Sequence, residues 1–161
     1  SAATHGVRFI TAPGSDGGQI LQTATEVKGL GLEVLAITVL TSISESELGG
    51  LGYKEGLSLR QLVLDRANIA KKSGCAGVVC SGEEVALIKQ KCSNDFKAVV
   101  PGIRPIWADI KKDDQSRIVT PREAISNGAD LIVVGRPIRD AKEPSVAALK
   151  IIEEIESALS V

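Results

Sequence analysis

The sequence predicts an α/β fold of parallel βα units, arranged as part of a (β/α)8 barrel. Three observations point there. Apolar runs rich in β-branched residues, at 32–40, 76–81, 98–100 and 131–134, are each followed by a segment of helical periodicity. The first of them, LEVLAITVL, is apolar on both faces, as a strand covered on both sides must be. Polar residues stand where these strands end, Thr41, Ser81, Arg104 and Arg136, the edge at which barrel sites are built. Eight units typically need ~250 residues. The 161 residues, read as a single domain over 1–161, have room for about four or five, a partial barrel.

Residues 7–11 suit either a short strand or the first turn of a helix, and Pro13, Gly14, Gly17 and Gly18 then force a loop. Ile20, Leu21, Ala24 and Val27 recur at helical spacing until Gly29-Leu30-Gly31 stops them. The strand at 32–40 ends in Thr41-Ser42, and residues 44–56 read as loop. Ser58 with Gln61 three residues later is a capping-box pattern for a helix carrying Leu59, Leu62, Val63, Ala67 and Ala70, closed by Gly74. After the strand at 76–81, Ser81 and Glu84 repeat the box for a helix holding Val85, Leu87 and Ile88. The strand Ala98, Val99, Val100 breaks at Pro101-Gly102 into a long polar loop carrying Arg104, Gln115 and Arg117. Thr120 caps the next helix, Pro121 takes its first position, Glu123 its third, and Gly128 ends it. LIVVGRP at 131–137 is a further strand, and a last helix from about 145 to 159 puts Val146, Leu149, Ile152, Ile155 and Leu159 on one face.

With 19 basic and 20 acidic residues and four aromatics, no basic patch with interleaved aromatics invites nucleic acid. No apolar run reaches the ~18 residues of a membrane span, and no basic-then-apolar leader opens the chain. Cys75, Cys80 and Cys92 match neither a C-x-x-C pair nor a zinc spacing with the single histidine, His5, so they read as buried thiols of a cytoplasmic protein and no metal site is expected. There is no G-x-G-x-x-G after the first strand and no Walker-A lysine. What remains is local. Two consecutive strands each lead to an arginine near a glycine, Arg104 by Gly102 and Arg136 by Gly135, an arrangement suited to holding an anion such as phosphate.

Four separate stretches then resemble one family. VLAITVLTS at 34–42, GVVCS at 77–81, the run PGIRP…DDQSRIVTP at 101–121 and VVGRPI at 133–138 are similar, in order and spacing, to the C-terminal part of orotidine 5′-phosphate decarboxylase. The resemblance implies a (β/α)8 barrel, a cytoplasmic homodimer, and conversion of orotidine monophosphate to UMP and CO2 without a cofactor. It also implies roles. Gln115, Arg136 and the backbone of Gly135 bind the 5′-phosphate of a nucleotide monophosphate, Arg104 supports that corner, Thr41 contacts the nucleotide, and Ser42 faces the pyrimidine.

The family's reaction depends on a Lys-Asp-Lys-Asp array: an aspartate ending the first strand, a lysine ending the second, and D-x-K-x-x-D ending the third. In that scheme a carboxylate crowds the substrate carboxylate, and a lysine stabilises and protonates the carbanion left at C6. The array belongs upstream of the matched stretches. Asp109, Lys111 and Asp114 satisfy D-x-K-x-x-D literally, but Pro105 lies just before, the apolar run Ile106-Trp107-Ala108 is too short for a barrel strand, and Gln115-Ser116-Arg117 follows at once. These residues therefore read as a solvated loop, and no catalytic residue is assigned; the resemblance implies that the loop closes over the phosphate, with Lys111 or Lys112 at its rim. Trp107 reads as an anchor of that loop and His5 as incidental. Two alternatives stand beside decarboxylation of orotidine monophosphate: a non-catalytic phosphate- or nucleotide-binding barrel fragment, and another phosphosugar decarboxylase of the same superfamily, such as one acting on 3-keto-L-gulonate 6-phosphate.

Overall fold

A computed structural model describes residues 3–26, 31–108 and 115–160. Its centre is a sheet of five parallel strands, β1 (Phe9–Pro13), β2 (Glu33–Ile37), β3 (Gly77–Val79), β4 (Lys97–Val100) and β5 (Leu131–Ile132), in the order β1-β2-β3-β4-β5. Each strand pairs with its chain neighbour, with Leu35, Gly77 and Lys97 level across the middle three. A doubly wound sheet reverses its order at a switch point; an unreversed order is that of an arc of a barrel. The helices are α1 (Gly18–Thr25), α2 (Leu59–Lys72), α3 (Val85–Cys92), α4 (Pro121–Ser126), α5 (Arg136–Arg139) and α6 (Pro144–Leu159).

Because side chains alternate along a strand, Ala12, Val34, Ala36, Val78, Ala98 and Val100 turn to one face. There they join Leu21, Leu62, Val63, Ala67, Val85 and Ile88 from the helices in one core. The other face carries the buried Leu35 and Val99. It also carries Glu33, whose carboxylate meets Lys97 at 3.2 Å and Arg8 at 3.8 Å. Gly77 lies between Leu35 and Lys97 in the sheet, and a Cβ built on it would sit 2.2 Å from the Lys97 carbonyl oxygen.

Sequence reasoning left residues 7–11 undecided; the chain makes them strand, shifted to Phe9–Pro13. Other strands are shorter than their apolar runs. Beyond Ile37 the backbone leaves the ladder, although Thr38 still donates to the Val79 carbonyl at 3.0 Å. The run 131–137 pairs only at Leu131–Ile132, and Gly135 and Arg136 open the short helix α5 instead of ending a strand. Hydrophobicity marks burial, whereas strand length is set by where a partner's hydrogen bonds stop, and β5 is an edge with one partner in the described sheet.

The caps follow the sequence in part. Ser58 accepts from the Gln61 amide at 3.1 Å, but the Gln61 side chain turns to Asp65 at 2.8 Å, so the box there is half made. At α4 both halves are present between Thr120 and Glu123. A further box, Ser44 with Glu47, opens a 3-10 turn at Glu45–Glu47 inside the expected loop. Of the α1 residues, Leu21 is buried and Ile20 exposed, while Val27, Gly29 and Leu30 fall outside the described residues. The expected apolar face of α6 does not become its buried face. Leu149 is 59% exposed, and Val146, Ile152 and Leu159 are exposed as well, whereas Ala147 and Ile151 are 4% exposed. The helix packs on α4 and α5, and these stand on its Ala147–Ile151 side.

Candidate functional site

Parallel pairing puts the C-terminal ends of all five strands on one edge, and that edge is where the polar residues gather. The exit of β2 carries Thr38, Val39, Leu40, Thr41 and Ser42. Its carbonyls, released from the ladder, are all taken. Arg66 donates to Thr38, and Arg117 Nη2 donates to Val39 at 3.1 Å and Leu40 at 3.0 Å. The amides of Ser116 and Arg117 donate to Thr41 at 3.0 and 3.2 Å, and the Ser116 hydroxyl donates to Ser42 at 3.0 Å. A loop that follows β4 is thereby fastened to the end of β2.

This fastening brings Thr41 and Gln115 together: the buried Thr41 hydroxyl donates to Gln115 Oε1. Gly102 is the floor beneath them. Its φ of +74° is costly for any residue with a side chain, and a Cβ there would meet the Arg117 carbonyl oxygen at 2.9 Å and come within 3.8 Å of Thr41. Next to it the chain makes a parallel bridge between Ile103 and Val119, with the Arg104 amide donating to the Val119 carbonyl at 2.8 Å. The half-buried Arg104 side chain donates to the Ile103 carbonyl at 2.9 Å. It lines a cavity of about 400 Å³ with Pro105, Ile106, Ile118 and Glu123, a lining that includes none of Thr41, Ser42, Gln115, Gly135 or Arg136.

Gly135 and Arg136 follow β5, the strand beside β4. Gly135 is exposed, a Cβ on it would touch nothing within 4 Å, and its carbonyl accepts from the Ile138 and Arg139 amides at 3.0 and 2.9 Å. Arg136 is half-buried in the first position of α5. Asp109, Lys111 and Asp114, with Lys112, lie outside the described residues. Trp107, just before them, donates its indole N–H to Glu154 of α6 at 2.8 Å with Lys150 over its ring. His5 sits exposed in a 3-10 turn ahead of β1.

Sequence reasoning named Arg117 as a loop residue and Glu84 as half of a capping box; it missed that they form a buried ion pair. The expected box is only half made: the Ser81 amide donates to Glu84 Oε2 at 2.9 Å, but the Ser81 hydroxyl accepts from the Glu83 amide and α3 begins only at Val85, while Glu84 Oε1 takes Arg117. Burial pushes the Glu84 carboxyl up from its ordinary value, and the Arg117 charge and the Ser81 amide hold it partly back. The available signal was a lone arginine beside the apolar pair Ile118-Val119, a position that buries a charge only if something answers it. Among the described residues no group of His, Cys, Asp and Glu is placed to hold a metal, and no helix is long and apolar enough to cross a membrane.

Comparison with known proteins places the chain in a family. The chain is 44% identical over 159 residues to "Orotidine 5′-phosphate decarboxylase" of Desulfosudis oleivorans, covering 98% of this chain and 64% of the relative. It is 41% identical to the protein of the same name from Teredinibacter turnerae, covering 97% and 67%. The crystal structure of orotidine 5′-phosphate decarboxylase from Lactobacillus acidophilus superposes with a TM-score of 0.78 at 34% identity, over 95% of this chain and 65% of that one. The five-stranded arc thus corresponds to part of the fold of a longer chain, and this chain spans about two thirds of these relatives' length. Residues 1–151 match the profile of one family, and the chain belongs to it: the orotidine 5′-phosphate decarboxylase / HUMPS family.

Proposed function

We propose that the chain is the nucleotide-holding portion of an orotidine 5′-phosphate decarboxylase, a carboxy-lyase forming UMP and CO2 from orotidine monophosphate. The observation that carries this reading is the fastening of the Gln115 loop to Thr41 and Ser42 on the edge where Gly135 and Arg136 also stand. Gln115, Arg136 and the Gly135 backbone hold the 5′-phosphate, Arg104 adds positive field to that corner, Thr41 contacts the nucleotide and Ser42 faces the base. An arginine fork and an amide donor suit a phosphate dianion. Holding the substrate by a group remote from the reacting carbon lets binding energy act on the transition state, so the grip contributes to rate as well as to affinity. The carboxylates and lysine that act at C6 come from sequence outside these 161 residues, and no cofactor takes part. The enzyme works in the cytoplasm as a homodimer, and the open edges at β1 and β5 favour association with further chain.

Calorimetric titration of the chain with UMP and with uridine tests the reading. UMP is expected to bind more tightly than uridine, and Arg136→Ala to weaken UMP by about ten- to a hundredfold, the loss of a charge-assisted hydrogen bond. Equal affinity of parent and variant disposes of the grip. Ribose 5-phosphate serves as a second ligand; preference for it over UMP would favour a phosphosugar substrate. Decarboxylation of orotidine monophosphate by this chain alone would overturn the placement of the reacting groups.

A further inference from the structure

Glu84 and Arg117 are the two buried charged residues among the described ones, each side chain only 7% exposed, and the grip described above uses neither. Arg117 spends its groups in an unusual way. Nη1 meets Glu84, Nη2 reaches the carbonyls of Val39 and Leu40, and its own backbone amide donates to Thr41. One residue therefore holds three consecutive carbonyls of the β2 exit. Glu84 is itself tied to the Ser81 amide, at the exit of β3. The carbonyl oxygen of Arg117 lies against Gly102, at the exit of β4, where the Val119 amide also donates to the Gly102 carbonyl at 3.3 Å. Three strand exits meet on one ion pair, two residues along the chain from Gln115.

Stability alone is a weak reason for such a pair. Two desolvated charges are often replaceable by apolar side chains of similar volume without loss, and here Arg117 Nε is buried with no acceptor among the described residues, a further cost. What an apolar pair cannot do is fix the direction of three carbonyls and the register of the loop that answers them. We propose that Arg117, held by Glu84, is a positioning residue: it locks the Gln115 loop to the β2 exit so that Thr41 and Gln115 are presented together to the nucleotide phosphate. The phosphate part of this rests on the function proposed above.

Two variants and two readouts test it. Arg117→Lys keeps the charge but loses the fork, and Glu84→Gln keeps the shape and an acceptor while losing the charge. Amide hydrogen exchange followed by NMR reads the lock directly. In both variants the amides of Ser116 and residue 117, which donate to Thr41, are expected to exchange at least about tenfold faster, while the Cys80 amide, bonded to Val99 inside the sheet, keeps its protection. Calorimetry reads the consequence: UMP affinity falls by about as much as in Gln115→Ala, uridine affinity stays, and adding Gln115→Ala to Glu84→Gln costs little more. Unchanged protection of Ser116 and residue 117 in both variants overturns the proposal, as does a full additive loss in the double variant. If the parent chain fails to bind UMP, the functional reading falls, and the exchange rates still decide whether the pair holds the loop. Should Arg117→Lys fail to fold, Glu84→Gln alone decides by the same measures.

Discussion

Replacing Gly77 by alanine places one methyl group at the centre of the sheet, and the structure says what it meets. The new carbon would lie 2.2 Å from the Lys97 carbonyl oxygen, 2.6 Å from Lys97 Cβ and 2.8 Å from its carbonyl carbon. Ordinary carbon contacts need about 3.5–4.0 Å, so β3 and β4 would have to part by roughly 1 Å. Neither strand is at liberty to move. Ala76 donates to Val34 at 2.9 Å on one side, and Lys97 donates to Ala76 at 3.0 Å on the other. Overpacking of this kind costs about 1–3 kcal/mol, and collision with backbone puts it at the upper end. Alanine's smaller unfolded-state entropy returns about 0.4–1 kcal/mol, leaving a net loss of about 2 kcal/mol. With a urea m-value of about 2 kcal/mol/M the unfolding midpoint drops by about 1 M. Gly49→Ala is the control, since its Cβ would touch nothing within 4 Å and its backbone is not left-handed. A Gly77→Ala midpoint equal to or above the parent's would refute the packing argument.

Other outcomes follow from individual contacts. Thr120→Ala removes the hydroxyl that accepts from the Glu123 amide at 3.1 Å and should cost about 1 kcal/mol in the same urea titration; no change would mean the box at α4 adds nothing. The amide and hydroxyl of Thr120 hold the Glu123 carboxyl below its ordinary value, and the Ser44 hydroxyl and amide do the same for Glu47. A carboxyl lowered in the folded state stabilises it above the unfolded value and gives that up as pH falls through the folded one. Urea midpoints should therefore drop below the ordinary glutamate range, and Glu123→Gln should flatten that slope; an unchanged slope would contradict it. Burial pushes the Cys80 thiol up, so iodoacetamide should leave Cys80 unlabelled in the folded chain and modify it after unfolding in urea, as read by peptide mass spectrometry.

The parts of the fold that were legible are those governed by neighbours in sequence. Thr120, Pro121 and Glu123 announce α4, and Ser58 opens α2, because capping is decided within one turn. The strand core at β2 is legible because a continuous apolar run has few other uses. Strand ends were not, since Thr38, Val39 and Leu40 look like strand but give their carbonyls to arginines from distant segments. The α6 face failed for a related reason: periodicity ranks the apolar side of a helix without naming what stands next to it, and α4 and α5 meet Ala147 and Ile151. At the site, Thr41, Ser42 and Gln115 fall together, but the pair that ties their segments joins residues whose roles sequence read separately.

The contact between Thr41 and Gln115 joins groups 74 positions apart in the chain. Bringing the ends of so long a flexible segment together costs about 4 kcal/mol in chain entropy, several times what one neutral hydrogen bond contributes. The contact is therefore no local device; it exists because β3, β4 and their helices have already closed the distance. Stiffness of the middle strands and the meeting of Thr41 with Gln115 are one property, and a change that loosens Gly77 against Lys97 weakens the proposed grip through the geometry it unmakes.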